Sequence, residues 1–293
     1  MRERSSAKDP FLVRFAREWG WRAYAIPVLL VLTIIVVVDV VRDAGVGDGA
    51  VPTAAHGGEQ GPIPEGGYGE NLDVGELPPG GPYTEESSGI YLPAGNPSPQ
   101  VGVGDTTVMR YTVEIEDTID PAVFGGADAF GAMIDATLAD ERSWIHDEAF
   151  AFEHVAPDEE PNLVFRLVAT HTAHELCGYE VPLETSCSIS PQVEGEPTTV
   201  LVNEARWVRG ALPFQGDLGA YRQYLINHEV GHALGYAAHE ACAADGAVAP
   251  VMMQQTLSVD NSELHNLNPN EVYPDDGAVC RPNAWPYPRP AVL

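Results

Sequence analysis

Basic residues are scarce, and nearly half of them sit at one end. The chain of 293 residues carries 15 Lys or Arg against 43 Asp or Glu. Residues 1–42 take seven of those cations and only four of the acids. Everything beyond Arg42 therefore holds eight cations and 39 acids, a formal charge of −31. A surface of that sign repels phosphate backbones and anionic head groups, which excludes nucleic acid as a partner. Cysteine is also sparse: there are four, with no CxxC spacing, so a cysteine-rich zinc cluster is excluded. No strand-turn-helix serine motif is present to anchor a Ser-His-Asp triad. No internal repeat is found.

Long apolar runs are missing except for one. Arg2, Arg4, Lys8, Arg14, Arg17 and Arg22 precede an unbroken stretch from Ala23 to Val38, and Val40 and Val41 extend it to about the length of a bilayer core. The stretch is longer than a signal-peptide core and no small-residue cleavage site follows it closely. The expectation is a basic cytoplasmic N-terminus at 1–22, a single-pass membrane helix at 23–41, and an extracellular remainder. Residues 42–104 are dense in Gly, Pro and acids and offer too little apolar surface to offset chain entropy. They read as a disordered tether; the alternative is a binding segment that folds on a partner, with Tyr68, Tyr83 and Tyr91 as its anchors. The folded domain is expected at 105–293.

Within it, Met109, Tyr111, Val113 and Ile115 alternate with Arg110, Thr112, Glu114 and Glu116, the period of a half-buried strand. Phe130, Met133, Ile134, Thr137 and Leu138 mark an amphipathic helix. Phe150–Val155, Leu163–Ala169 and Thr199–Val202 read as further strands. All four cysteines fall on the outer side of the membrane, where an even count favours disulfides. Local spacing pairs Cys177 with Cys187 and Cys242 with Cys280.

The densest chemistry lies in His228–His239, which reads His-Glu-Val-Gly-His-Ala-Leu-Gly-Tyr-Ala-Ala-His. Asp217 can cap a helix through Leu218, Tyr221, Leu225, His228 and His232. His228 and His232 then lie one turn apart on one face, within reach of a single ion. Glu229 stands beside that face, placed to take a proton from a water activated by the ion. Gly235 ends the helix in a left-handed turn and lets the chain return His239 as third ligand. Three protein ligands leave one position open, as in catalytic rather than structural zinc sites. His171 and His174 lack a grouped third ligand and read as surface histidines.

This eleven-residue pattern resembles the metzincin clan of zinc metallopeptidases, HExxHxxGxxH followed by a methionine turn. Pro250-Val251-Met252-Met253-Gln254-Gln255 stands where that turn belongs. Met252 is the expected floor beneath the histidines, with Met253 as the alternative. Gln254, or Gln255 if Met253 is the floor, replaces the tyrosine that some metzincin families use as an extra ligand. More narrowly, Asp140–Trp144, Tyr221–Glu229, Ala249–Thr256 and Asn283–Pro286 resemble an uncharacterised actinobacterial family of membrane-anchored metzincin-like domains. The resemblance implies an α+β fold with a twisted mixed sheet, a zinc-binding active-site helix and a small irregular C-terminal subdomain. It also implies a zinc endopeptidase acting as a monomer on peptide or protein, with Zn2+ held by His228, His232 and His239 and Glu229 as general base. Rival readings are a catalytically silent domain that binds peptide or cell-wall material, against which intact Glu229 argues, and a structural zinc module.

Overall fold

The computed structural model describes Thr33, Gly69, residues 71–178 and residues 183–288. The expected membrane helix, Thr33 apart, lies outside the described residues, as do residues 1–22. Among the described residues no helix is long and apolar enough to cross a membrane.

Seven strands form one mixed sheet: β1 (Tyr91–Pro93), β2 (Ser98–Gly102), β3 (Thr107–Glu116), β4 (Phe150–His154), β5 (Leu163–Val168), β6 (Cys187–Ile189) and β7 (Thr198–Asn203). Their order is β2-β4-β3-β5-β7-β6, with β1 paired to the far half of β3. The centre is parallel, β4 on β3 on β5 on β7, while β2 and β6 run antiparallel at the two edges. Among the described residues five α-helices accompany it: α1 (Ala127–Leu138), α2 (Thr170–Cys177), α3 (Glu204–Arg209), α4 (Leu218–Ala233) and α5 (Asn261–Leu267).

Parallel strands are normally covered on both faces, and β5 reads accordingly: Leu163, Val164, Phe165, Leu167 and Val168 are all buried. One face carries the main core, where Phe130 and Ile134 of α1 meet Trp207, Tyr221 and Leu225. Across the sheet, Val168 and Leu201 pack with Ala173 of α2. A third cluster, Cys242, Ala249, Met253, Leu257, Leu264, Tyr273 and Cys280, is the core of the mostly irregular C-terminal region. Both disulfides form as the spacing suggests, Cys177–Cys187 and Cys242–Cys280. Such bonds belong to domains that mature outside the reducing cytosol.

Two expectations need correction. The alternation in β3 predicts solvent beyond its polar face, yet Thr112 and Glu116 are buried. Glu116 accepts hydrogen bonds from the backbone N–H groups of Ser88, Gly89 and Ala169 and from the Thr172 hydroxyl. A carboxylate with that many donors tolerates burial. The donors at Ser88 and Gly89 identify the second correction, because the linker read over 42–104 is folded from about residue 71. Arg206, fully buried, donates to the carbonyls of Gly75 and Glu76, Arg209 donates to Gly81, and Glu204 accepts from Thr84. Composition forecast little apolar burial there. The segment is ordered instead by polar bonds to side chains 120 or more positions away.

Candidate metal centre

Helix α4 carries the site. Asp217 caps it, its Oδ1 accepting the Ala220 N–H at 2.9 Å. The expected amphipathic stripe is replaced by burial on every side over residues 224–231. Tyr221, Leu225, Ile226 and Val230 join the main core, and the Tyr224 hydroxyl reaches Met253 of the C-terminal cluster. Its end is a Schellman turn: Tyr236 N–H bonds Gly231 O at 3.0 Å, Gly235 N–H bonds His232 O at 3.0 Å, and Gly235 has φ 103°. The turn reverses the chain and brings His239 back to the helix.

The ligand-capable atoms of His228, His232 and His239 lie within 4.8 Å of one another. This is the one such group of three among the described residues. Each imidazole already spends Nδ1 on an acceptor: His228 on Val251 O at 2.8 Å, His232 on Tyr236 O at 2.9 Å, and His239 on Glu271 Oε2 at 3.3 Å. Carbonyl and carboxylate oxygens only accept, so Nδ1 carries the proton in each ring and Nε2 keeps its lone pair. His228 Nε2 is buried with no partner in the protein. Burial, together with the two neighbouring histidines, holds His228 well below the usual imidazole range. Three neutral nitrogens, oriented from behind, are a donor set that fits zinc.

Glu229 is buried, and its Oε2 has no hydrogen-bond partner in the protein. Desolvation pushes its carboxyl up to about 8. A carboxyl so placed can exchange protons near neutral pH. A cleft of about 330 Å³ exposes the group, lined by His228, Glu229, His232 and His239 on one side and by Ser186, Cys187 and Ser188 at edge strand β6 on the other. A second cavity of about 270 Å³ shares His239 and Gln254 with it and continues between Leu257, Leu264 and Tyr273.

The methionine turn closes the floor. Met252 packs against Gly231 of α4 and belongs to the main core, whereas Met253 belongs to the C-terminal cluster. Tyr224 donates to Met253 O and accepts from Gln255 N–H, both at 2.9 Å, and Tyr273 accepts from Gln254 N–H at 3.0 Å. The backbone N–H of Glu240 bonds Met252 O at 3.1 Å. The stretches that carried the family resemblance converge on one network under α4. Ser143 Oγ and Asn227 Oδ1 lie 2.7 Å apart, Trp144 Nε1 donates to Asn227 O, and Asn227 Nδ2 donates to Ala284 O. Gln255 and Asn283 exchange two further bonds.

Sequence reasoning missed Glu271, Tyr273, Tyr224 and strand β6. Tyr224 was legible, standing four residues before His228 on the same helical face. Glu271, 32 positions beyond its histidine, had no signal. His174 pairs with Glu184 rather than with His171.

Fold and site thus define a mixed α/β domain with a three-histidine cluster and a buried carboxylate on one helix. Residues 77–288 match the family described as protein of unknown function (DUF3152), and the chain belongs to that family. No curated protein and no solved structure matches it.

Proposed function

We propose that the domain is an extracellular zinc endopeptidase of the metzincin type, anchored by residues 23–41 and acting on peptide or protein. The observation that carries this reading is the convergence of three Nε2 lone pairs beside the partnerless carboxylate of Glu229. His228, His232 and His239 would hold the zinc. A zinc ion there supplies Lewis acidity, polarising the scissile carbonyl and making water acidic enough to deprotonate near neutral pH. Glu229 takes the proton from water and returns it to the leaving amine. Edge strand β6 lies across the cleft with one side unpaired, which suits antiparallel pairing with an extended peptide.

The test is a full-length preparation, loaded with zinc and incubated with a peptide library read by mass spectrometry. Wild type should hold one zinc per chain and cleave. Glu229→Ala should keep the zinc and melting temperature but lose hydrolysis by about two to four orders of magnitude. Alanine at any of the three histidines should lose the metal. Full zinc occupancy in His239→Ala would end the metzincin reading. Zinc-loaded wild type that cleaves nothing would favour a silent binding domain instead.

A further inference from the structure

The eight arginines beyond Arg42 have thirty-nine acids to pair with, and most of those described are occupied. Arg110, Arg142 and Arg166 pair with Glu153, Asp140 and Glu114, and Arg206 is spent on backbone carbonyls. Arg222, in the second turn of α4, differs. Its Nε donates to Trp207 O at 2.9 Å and its guanidinium carbon lies 4.6 Å from the Trp207 ring centre. Among the described residues no carboxylate pairs with it, and its two terminal nitrogens find no hydrogen-bond partner. Desolvation pushes its pKa down, the mark of a cation without a counter-charge.

Arg222 opens onto a cavity of about 460 Å³, larger than either space at the metal centre. Arg209 lines the same cavity, its Nε fixed to Gly81 O at 2.9 Å and its guanidinium stacked 4.7 Å from the Tyr83 ring. The other walls are Pro79, Pro82, Val123, Val208 and Leu218, with glycines between. None of the described lining residues is acidic. In a domain of this charge, a space that holds the unpaired guanidinium of Arg222 and no acid among its described lining residues is a place for a negative group.

We propose that this cavity binds a carboxylate carried on a small apolar body, with the fork of Arg222 taking the carboxylate and the Pro, Val and Leu walls taking the body. A planar guanidinium held by its Nε presents two parallel donors, the geometry of bidentate carboxylate binding. A phosphate dianion would feel the surrounding negative field twice over, so the single charge is preferred. The reading is independent of the metal chemistry.

Calorimetric titration of the full-length protein tests it, using N-acetyl-leucine, N-acetyl-leucinamide, inorganic phosphate and a tripeptide ending in leucine. N-acetyl-leucine should saturate one site, and the amide should bind at least about tenfold more weakly. Arg222→Gln should cost a similar factor, and Arg222→Lys less. Because Arg222 also holds Trp207, Val123→Asp serves as a second variant. Val123 is exposed on the wall, and a carboxylate there should abolish binding without touching the arginine. A tripeptide that binds more tightly than N-acetyl-leucine identifies chain ends as the source, and one that binds more weakly identifies free acids. The proposal is overturned by equal binding of the amide, by tighter binding of phosphate, by unchanged binding in Val123→Asp, or by no saturation of wild type at the solubility limit.

Discussion

The side chain of Met252 fills the space that a Cβ on Gly231 would need. An added methyl there would overlap the Met252 sulfur and stand 2.9 Å from Trp144 Cζ2. Glycine at the fourth position of His-Glu-Val-Gly-His is therefore a packing requirement, since the floor of the site rests on bare helix backbone. Gly231→Ala should gain roughly 1 kcal/mol of helix propensity and lose about 1–3 kcal/mol to overpacking. The net expectation is destabilisation by about 1 kcal/mol, read as a lower urea midpoint, with weakened zinc retention. A variant more stable than wild type would mean that Met252 and Trp144 move aside freely.

Among the described residues Glu271 is the only carboxylate that partners a histidine Nδ1 of the cluster, the other partners being the carbonyls of Val251 and Tyr236 and the Tyr224 hydroxyl, 3.4 Å from His228 Nδ1. It can be removed without disturbing the backbone. Glu271→Ala should weaken zinc binding by about 10–100-fold, the usual worth of such an orienting carboxylate. Glu271→Gln keeps an acceptor but loses the charge, and should fall between. Competition with a chromogenic chelator measures both. Unaltered affinity in the alanine variant would show that His239 is oriented by packing alone.

Much of this site was legible because its information is local. His228, His232, Gly235 and His239 are fixed by helical periodicity and one left-handed turn, and Cys177–Cys187 and Cys242–Cys280 by spacing and compartment. The central strands were legible because Leu163–Val168 and Thr198–Asn203 concentrate β-branched and apolar residues. What escaped depends on distant polar partners. Strands β1 and β2 lie in a Gly- and Pro-rich segment whose order comes from Arg206, Arg209, Glu204 and Glu116. Three-residue β6 is too short for any period to show.

Glu204 yields a pH prediction away from the metal centre. Burial raises its carboxyl above the ordinary value of 4.5, although the Thr84 N–H, donated at 2.6 Å, opposes the shift. A folded-state pKa above the unfolded one means that the fold binds the proton more tightly. Its contribution is thus most favourable at low pH and falls as pH rises from 4.5 through the folded value. Glu204→Gln can still accept from Thr84 but has no charge to desolvate. Its stability relative to wild type should therefore rise across that window, measured by urea melts at stepped pH. A difference that stays flat with pH would place the cost elsewhere.

The two disulfides should separate under mutation. In loop-closure terms, Cys177–Cys187, ten residues apart, is worth roughly 3 kcal/mol, and Cys242–Cys280, 38 apart, roughly 4. Their positions differ more than their energies. Cys187 begins β6 and lines the cleft, so serine at both 177 and 187 should leave zinc affinity intact and reduce turnover of extended peptides. Cys242 follows His239 by three residues, and its N–H is held by Asn261 Oδ1 at 2.9 Å. Serine at both 242 and 280 should free the chain that carries the third histidine, weakening zinc along with stability. Thermal melts with and without zinc, beside peptide turnover, distinguish the pairs. Equal zinc loss in both double variants would show that neither acts through the element it anchors.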